Sequence, residues 1–390
     1  MSKIIQMALE IAAADLRSCY KKDGIFTGSR GVYWSWDSFF ASFGNLVLND
    51  MAIAKKNLKL YLRHQLPDGN IPKRIAHPLY PLKYIGLPIR ETADRQKPSY
   101  KSPYFTGISI SQCPVFIIAF EEFVDKSGDI EFLKKNICKL EKVFNLLKKH
   151  SFRNGLLNEA IGGGWAESVL KRGAITYTNM CYAKSLQCMA KMEKQLGRLK
   201  RSIEFTARFK QIKNAINTNL WHNSRGGFYS DWRGFQRHHH FNTDGNLLAI
   251  LWGIADTDQS KKIEKQLDYL LRKFELPLPL TSDRYYFWRI FLANRLGGIK
   301  NYHVTFSWLW LGCLAALAKK KLGKEKEAKS IIAKIAKQIL EDKNVCEIYY
   351  KNTPVNVFFY KSERPWAWSA GMFIYACHEL GMPLPASLSS

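Results

Sequence analysis

The sequence predicts an all-α protein in which helical hairpins close into a ring. Three observations predict this fold class: helical periodicity recurs over most of the chain, short turns alternate with long loops, and 46% of the 390 residues are hydrophobic. That apolar content is enough for a large core. Alternating connections suit a closed ring of hairpins whose long loops gather on one face.

The individual helices are predicted from apolar residues at helical spacing. The first covers residues 3–19, and the second starts after the aromatic run 33–40 and continues to about Gln65. Short turns at 126–129, 196–198 and 322–323 separate the two helices of a hairpin. The remaining predicted helices lie near residues 110–125, 130–149, 176–196, 200–220, 241–254, 259–273, 303–321, 324–341 and 366–380.

Residues 71–108 form an insertion with several prolines and tyrosines and without helical periodicity. Connections of this length in compact proteins are usually functional, so we expect the insertion to cover a pocket. Strand-like runs occur in two other loops, at 227–230 and 357–360. Because the sequence contains no exact repeat, low-complexity segment or linker, we predict one domain over residues 1–390.

The charge balance bears on the partners of the protein. The chain has 59 Lys and Arg against 33 Asp and Glu, a net charge of +26. Such an excess makes nucleic acid, anionic membranes and acidic substrates possible partners. The lysines, however, are spread through helical segments such as 319–337, and no nucleic-acid-binding module is recognisable. We therefore expect no specific nucleic-acid partner, and the oligomeric state stays open.

The cysteines and the N-terminus predict a cytoplasmic protein. Eight cysteines are present without a CxxC pair, most of them within apolar helical runs, where reduced cysteine acts as a small hydrophobe. Residues 1–17 include Glu10 and Asp15 and lack the apolar core of a signal peptide. No apolar run is long enough to span a bilayer, so we expect no membrane contact.

Residues 162–168 place a carboxylate, Glu167, two positions after Trp165 and behind three glycines. Glycine lets a ligand approach the backbone closely, and tryptophan offers a flat apolar platform. Such a neighbour favours the protonated form of a carboxyl group, which a general acid requires, whereas Lys171 and Arg172 favour the charged form. The alternative is a glycine-rich turn with a helix-capping glutamate.

A second carboxylate, Glu347, precedes Ile348, Tyr349 and Tyr350 in a similar aromatic setting. Glycosidic bonds break between two carboxyl groups: one protonates the leaving oxygen, and the other activates water or attacks directly. The pair therefore predicts glycoside hydrolysis with Glu167 as the acid and Glu347 as the base.

Sugar sites combine flat apolar walls with planar hydrogen-bonding groups, and several of the 11 tryptophans stand beside such groups. Helix capping is the alternative role for Asp37, Asn179 and Asp244. For His303 the alternative is a structural hydrogen bond, and for Arg364 it is pairing with Glu363. The predicted substrate-binding residues are Trp36, Asp37, Trp165, Asn179, Asp244, His303, Arg364 and Trp366.

Metal and cofactor chemistry find no pattern in the sequence. Residues 238–240 are three adjacent histidines, which rarely converge on one metal ion, and no His-x-x-x-His spacing is present. The motifs of P-loop, Rossmann and serine-hydrolase enzymes are also missing from the sequence. We expect neither a metal nor a cofactor.

Four elements together resemble the six-hairpin (α/α)6-barrel glycoside hydrolases. These are Tyr33–Phe40, which is similar to a sugar-holding Trp-Asp-Ser-Phe element; Gly164–Ser168, similar to the general-acid element; Val345–Tyr350, similar to the general-base element; and Trp366–Gly371, similar to the start of the last inner helix. The family includes glycogen-debranching glucosidase domains, trehalases, mannosylglycerate hydrolases, family 63 glucosidases and neutral invertases. In many of its members an aspartate takes the place of Glu167.

The resemblance implies a single (α/α)6 barrel and an inverting mechanism. It implies a small carbohydrate as substrate, an α-glucoside or a related α-linked sugar. Alternatives on the same barrel are a hydrolase of an anionic glycoside such as mannosylglycerate and an invertase-like sucrose hydrolase. A carbohydrate- or polyanion-binding protein without catalysis is the alternative from another class.

Overall fold

The computed structural model describes residues 2–85, 96–102, 107–234, 237–274, 278–357 and 359–388. Thirteen α-helices occur within these ranges. They are α1 (Ser2–Ser18), α2 (Ser35–Val47), α3 (Met51–Arg63), α4 (Gln112–Ser127), α5 (Ile130–Lys149), α6 (Thr176–Gln195), α7 (Leu199–Asn219), α8 (Thr243–Leu251), α9 (Thr257–Lys273), α10 (Leu292–Leu296), α11 (Leu309–Lys321), α12 (Glu325–Asp342) and α13 (Ala367–Glu379).

Six of the helices form a closed inner ring. Helix α2 packs against α4, α4 against α6, α6 against α8, α8 against α11, α11 against α13, and α13 against α2 again. The helices α1, α3, α5, α7, α9 and α12 pack outside this ring, and α10 lies in a connection. The predicted (α/α)6 barrel is therefore confirmed.

The inner and outer helices differ in how much of their surface is buried. The inner helix α11 buries every residue from Leu309 to Lys319, because other elements surround it. The outer helix α9 buries one stripe that includes Ile263, Leu267 and Leu270. This is the pattern expected for a helix with one face toward the core and one toward water.

Two glycines let the first and last inner helices meet backbone to backbone. A Cβ atom at Gly44 in α2 would lie 2.5 Å from the Cα atom of Gly371 in α13. A Cβ atom at Gly371 would lie 2.6 Å from the carbonyl oxygen of Ala41. Since heavy atoms do not approach so closely, only glycine permits this closure of the ring.

The connections alternate in length, as predicted. Each short turn leads from an inner helix to an outer one, and each long connection leads back to the N-terminus of an inner helix. Short strands occupy the long connections: β1 (Tyr33–Trp34), β2 (Arg74–Ala76), β3 (Lys97–Ser99), β4 (Ala174–Ile175), β5 (Trp221–His222), β6 (Phe228–Arg233), β7 (Arg237–Phe241), β8 (Leu278–Pro279), β9 (Ser307–Trp308), β10 (Tyr349–Tyr350), β11 (Thr353–Pro354), β12 (Asn356–Val357) and β13 (Tyr360–Lys361).

Antiparallel pairing between these strands joins different long connections. The sheets have the orders β1-β2-β3, β11-β10-β9-β8, β12-β13 and β4-β6-β5, with β7 also paired to β6. In the second sheet Ser307 pairs with Tyr349 and with Pro279, so the connection between α9 and α11 meets the connection between α12 and α13 there. The loops at this end of the barrel are thus fastened to one another.

Two helix predictions were wrong in extent. The helix predicted to reach Gln65 is divided into α2 and α3, because the chain turns at 48–50, where Asn49 has φ 60°. Asparagine tolerates this left-handed conformation better than most residues. The helix predicted from 303 begins at Leu309, since the backbone N–H groups of Val304 and Phe306 donate to the Asn301 carbonyl in a turn.

Other expectations have mixed outcomes. The run 227–230 lies largely in β6, and 357–360 spans β12 and β13, although residue 358 is outside the described ranges. The insertion 71–108 contains β2 and β3, while residues 86–95 and 103–106 lie outside the description.

A single domain over residues 1–390 stays a prediction, supported by one apolar cluster that extends from Ile5 to Leu388. Within the described ranges, no helix combines the length and apolarity needed to cross a membrane.

We predict that Gly44→Ala destabilises the protein by about 3 kcal/mol, the upper part of the range for overpacking, because the new methyl group meets rigid backbone. Gly128→Ala is the control: its φ is 66° and its added Cβ meets no atom within 4 Å. Strain alone should cost that control about 1 kcal/mol. Denaturant unfolding measures both free energies, and equal losses would contradict the backbone contact.

Candidate active site

A cavity of about 640 Å³ opens where the long connections meet the N-terminal turns of the inner helices. Its volume is in the range of small-ligand sites. Seven of the ten predicted site residues line it: Trp36, Asp37, Trp165, Glu167, His303, Glu347 and Trp366. The fold thus brings together residues that are more than 300 positions apart in the sequence.

Glu347 is held by three hydrogen-bond donors. The Tyr302 hydroxyl donates to Oε1, while the Tyr360 hydroxyl (2.5 Å) and the Glu363 backbone N–H (3.1 Å) donate to Oε2. The side chain is buried except toward the cavity that it lines. Donors of this kind stabilise the charged form of a carboxyl group and fix its orientation.

Glu167 lines the same cavity and is more open, with 29% of its side chain exposed. The buried Lys73 ammonium group donates to its Oε2 atom at 2.9 Å. Lys73 also lies 5.5 Å from the ring centre of Trp34, which covers it. An ammonium group so close stabilises the charged form of a carboxyl group.

Asp37 lies in the first turn of α2 and faces the cavity with its side chain almost fully buried. Burial raises the pKa of Asp37 well above its ordinary value, and nearby Glu347 adds to the increase. Among the described residues, no other residue donates a hydrogen bond to its carboxyl group. The helix begins at Ser35, so the alternative of Asp37 as an N-cap before Ser38 is wrong.

Glu363 is a further carboxylate at the cavity. It pairs with the Arg30 guanidinium at 2.8 Å and accepts hydrogen bonds from the Arg30 backbone N–H and the Ser29 hydroxyl. Burial raises the pKa of Glu363. The nearby Glu347 raises the pKa of Glu363 further, whereas the Arg30 charge lowers it. The pair fastens the first long connection to the last.

Trp165 forms the centre of an aromatic floor beneath the cavity. Its ring centre lies 5.1 Å from that of Trp310, 5.4 Å from Trp368 and 5.6 Å from Trp308. Its indole N–H donates to Asp244 Oδ2 at 2.7 Å. This hydrogen bond fixes the rotation of a ring that lines the cavity.

His303 is buried and stacks parallel to Trp308, with ring centres 5.5 Å apart. Burial holds the pKa of His303 well below its ordinary value, so the ring is neutral at pH 7. Its Nδ1 atom forms a hydrogen bond with the Ser168 hydroxyl at 2.8 Å and lies 3.4 Å from the Ser168 backbone nitrogen. His303 therefore combines the predicted cavity position with the structural hydrogen bond that was its alternative.

Three predicted binding residues, Asn179, Asp244 and Arg364, lie outside the cavity lining. Asn179 accepts from the Leu157 N–H and donates to the Ile175 carbonyl, so it fastens a loop to the start of α6. Asp244 lies behind Trp165 and supports that ring, while Asn242 caps α8. Arg364 is exposed, and its positive charge lowers the pKa of Asp342, which burial raises. The alternative that Arg364 pairs with Glu363 is wrong, because Glu363 pairs with Arg30.

Sequence reasoning missed several side chains that hold the site together: Arg30, Lys73, Tyr302, Tyr360 and Glu363. Tyr302 is next to the predicted residue His303, and Glu363 is next to the predicted residue Arg364. The sequence does not show which of two neighbouring side chains points to the cavity. Lys73 had no local signal, since its partner Glu167 is 94 positions away. Within the described ranges no cluster of three or more His, Cys, Asp or Glu could hold a metal ion.

Comparisons with known proteins agree with this architecture. Residues 90–275 match the model of the bacterial alpha-L-rhamnosidase 6 hairpin glycosidase domain. No curated protein matches the sequence.

Solved structures of similar fold include three with a bound sugar. The GH63 mannosylglycerate hydrolase from Thermus thermophilus, in complex with glucose, has a TM-score of 0.71 at 13% identity, covering 94% of this chain and 99% of that one. A glycosidase variant in complex with glucose has a TM-score of 0.69 at 14% identity, with 99% and 100% covered. The rhamnosidase from Klebsiella oxytoca with rhamnose bound has a TM-score of 0.70 at 12% identity, with 97% and 64% covered.

These likenesses confirm the six-hairpin fold. Together with the family model they support the prediction that the chain is a glycoside hydrolase.

We predict that the Asp244 carboxyl group contributes stability at low pH and that this contribution is lost as pH rises from about 4 to 7. Burial raises the pKa of Asp244 to about 7. The folded protein therefore keeps this proton to higher pH than the unfolded chain, whose carboxyl group titrates near 4. Folding then takes up a proton between about pH 4 and 7, and stability is lost across that window as pH rises. Asp15 and Glu159 act in the same direction, with pKa values raised to about 6 and about 7.

The Asp244→Asn variant tests this account, because it keeps the shape and loses the titration. Its melting temperature, relative to that of the unaltered protein, should rise between pH 5 and 8. The control is Asp258→Asn, at a side chain that is 72% exposed, and it should keep the original slope. An unchanged slope in Asp244→Asn would show that this carboxyl group does not titrate in that range.

Proposed function

We propose that this six-hairpin barrel hydrolyses a small α-linked glycoside with inversion, using Glu167 as the general acid and Glu347 as the general base. One observation carries the proposal: both carboxyl groups open into a single cavity whose inner end is closed by tryptophans. Two carboxyl groups around one sugar-sized space are the requirement for cleaving a glycosidic bond.

The surroundings of Glu347 suit a base. Its three donors fix the direction of the carboxylate toward the cavity. A water molecule placed between Glu347 and the sugar would lose a proton to the carboxylate as it attacks the anomeric carbon. The attack comes from the face opposite the leaving group, so the configuration of the sugar inverts.

The surroundings of Glu167 set a condition on its role as an acid. A general acid must carry a proton when it acts, whereas the Lys73 ammonium group at 2.9 Å favours the charged form. The proposal therefore implies that this ion pair loosens when a sugar fills the cavity. Its partial exposure gives Glu167 the freedom to turn toward a leaving oxygen.

The inner end of the cavity suits one sugar ring. Tryptophan faces pack against the C–H face of a sugar, and Asp37 offers a carboxyl group to its hydroxyls.

The charges near the cavity favour a neutral sugar over an anionic one. Two cationic side chains at the site have carboxylate partners: Arg30 pairs with Glu363, and Lys73 pairs with Glu167. An anionic glycoside would have to compete with these pairs. An α-glucoside or related neutral α-linked sugar is therefore the substrate class that we propose, ahead of mannosylglycerate-like compounds.

The test is hydrolysis of a panel of α-linked disaccharides and glycosides by the unaltered protein and two variants. Glu167→Gln and Glu347→Gln should each lower kcat/KM at least about 100-fold, because each removes one proton transfer. The matched control is Glu122→Gln, at a glutamate that borders a separate cavity of about 490 Å³ at the opposite end of the barrel, and it should keep full activity.

Proton NMR of the sugar at early times reports its configuration, and we expect the β-anomer to appear first from an α-glycoside. Release of the α-anomer first would contradict inversion. Near-normal activity in either glutamine variant would remove that residue from the mechanism, and a folded protein inactive on every α-linked sugar would contradict the function itself.

A further inference from the structure

Five large apolar side chains stand exposed beside the cavity. Tyr286, Phe287, Trp288, Leu292 and Leu296 are between 54% and 73% exposed. We call this group the apolar rim. Contiguous apolar surface of this kind on a protein usually marks a binding site.

The rim is ordered by its own contacts. The rings of Tyr286 and Trp288 lie parallel, 3° apart in plane, with centres separated by 4.6 Å. The Arg295 guanidinium lies 4.4 Å from the ring centre of Phe287. The aromatic side chains are therefore held in place while their outer faces remain open to solvent.

The rim is joined to the chain segment that follows Glu167. The Leu170 N–H donates to the Arg289 carbonyl at 2.7 Å, and the Phe291 N–H donates to the Ser168 carbonyl at 2.8 Å. Phe291 and Leu296 also line the cavity. The rim is thus continuous with the cavity wall on the side of the proposed acid.

The two ends of the cavity differ in what they can accept. Trp165, Trp310 and Trp368 close the inner end, so the reacting sugar ring has to point inward. The rest of the substrate then extends outward. Since the acid protonates the leaving oxygen, the leaving group passes on the Glu167 side, where the rim lies.

We propose that the apolar rim binds the leaving group, and that this group is extended and presents an apolar face. This inference rests on the proposed function. An alkyl or aryl aglycone has such a face, and so do the C–H sides of further sugar rings.

Binding of non-hydrolysable probes to the full, unaltered chain tests the proposal. The probes are methyl, butyl and octyl 1-thio-α-D-glucopyranoside below their micelle concentrations, measured by calorimetry. We expect the octyl compound to bind at least about ten-fold more tightly than the methyl compound, because additional methylene groups leave water. Maltose, maltotriose and maltotetraose, measured on the Glu347→Gln variant so that they are not cleaved, form the second series, and tightening with sugar length in place of alkyl length identifies sugar rings as the natural leaving group.

The double variant Trp288→Ala, Leu296→Ala should reduce the ratio of the affinities for the octyl and methyl compounds to about three-fold or less. The control Ile203→Ala removes an apolar side chain that is 69% exposed on α7, and it should preserve the ratio. Equal affinity along both series, or a ratio unaffected by the double variant, overturns the proposal.

Sedimentation of the same proteins provides the remaining check. A dimer that the double variant converts to a monomer would assign the rim to contact between two copies and overturn the proposal. These are binding and assembly measurements, so their failure is distinct from a failure to find hydrolysis.

Discussion

The backbone contact between α2 and α13 is the constraint on which the barrel depends. Gly44 and Gly371 let these helices approach until a Cβ atom on either one would overlap the other backbone. Because the first and last inner helices meet in this way, the ring closes and all six long connections return to one end. The cavity, its carboxylates and its aromatic floor all lie at that end.

This end of the barrel gathers several carboxyl groups in a protein whose net charge is +26. Asp37 and Asp244 lie in the first turns of α2 and α8, where burial raises the pKa of both groups. Tyrosine hydroxyls, Lys73 and Arg30 stabilise the other carboxyl groups at the cavity. Asp37 keeps an open carboxyl group, which distinguishes it as a group for binding a hydroxyl.

Much of the fold and part of the site follow from the sequence alone. Helical periodicity and the alternation of connections predicted the ring, and the aromatic settings of Glu167 and Glu347 predicted two carboxyl groups that share one cavity. Periodicity did not reveal the turn at Asn49, because the apolar pattern continues through it. Lys73 could not be predicted, since it reaches Glu167 from a distant part of the chain, and local sequence does not encode such a meeting.

The most direct test of the account is a crystal structure of the Glu347→Gln variant with an α-linked disaccharide that the unaltered protein cleaves. The account predicts one sugar ring at the inner end against Trp165, with its anomeric carbon between positions 167 and 347 and the second ring toward the mouth. A sugar bound only in the cavity at the opposite end of the barrel, or with its glycosidic oxygen out of reach of Glu167, would contradict it.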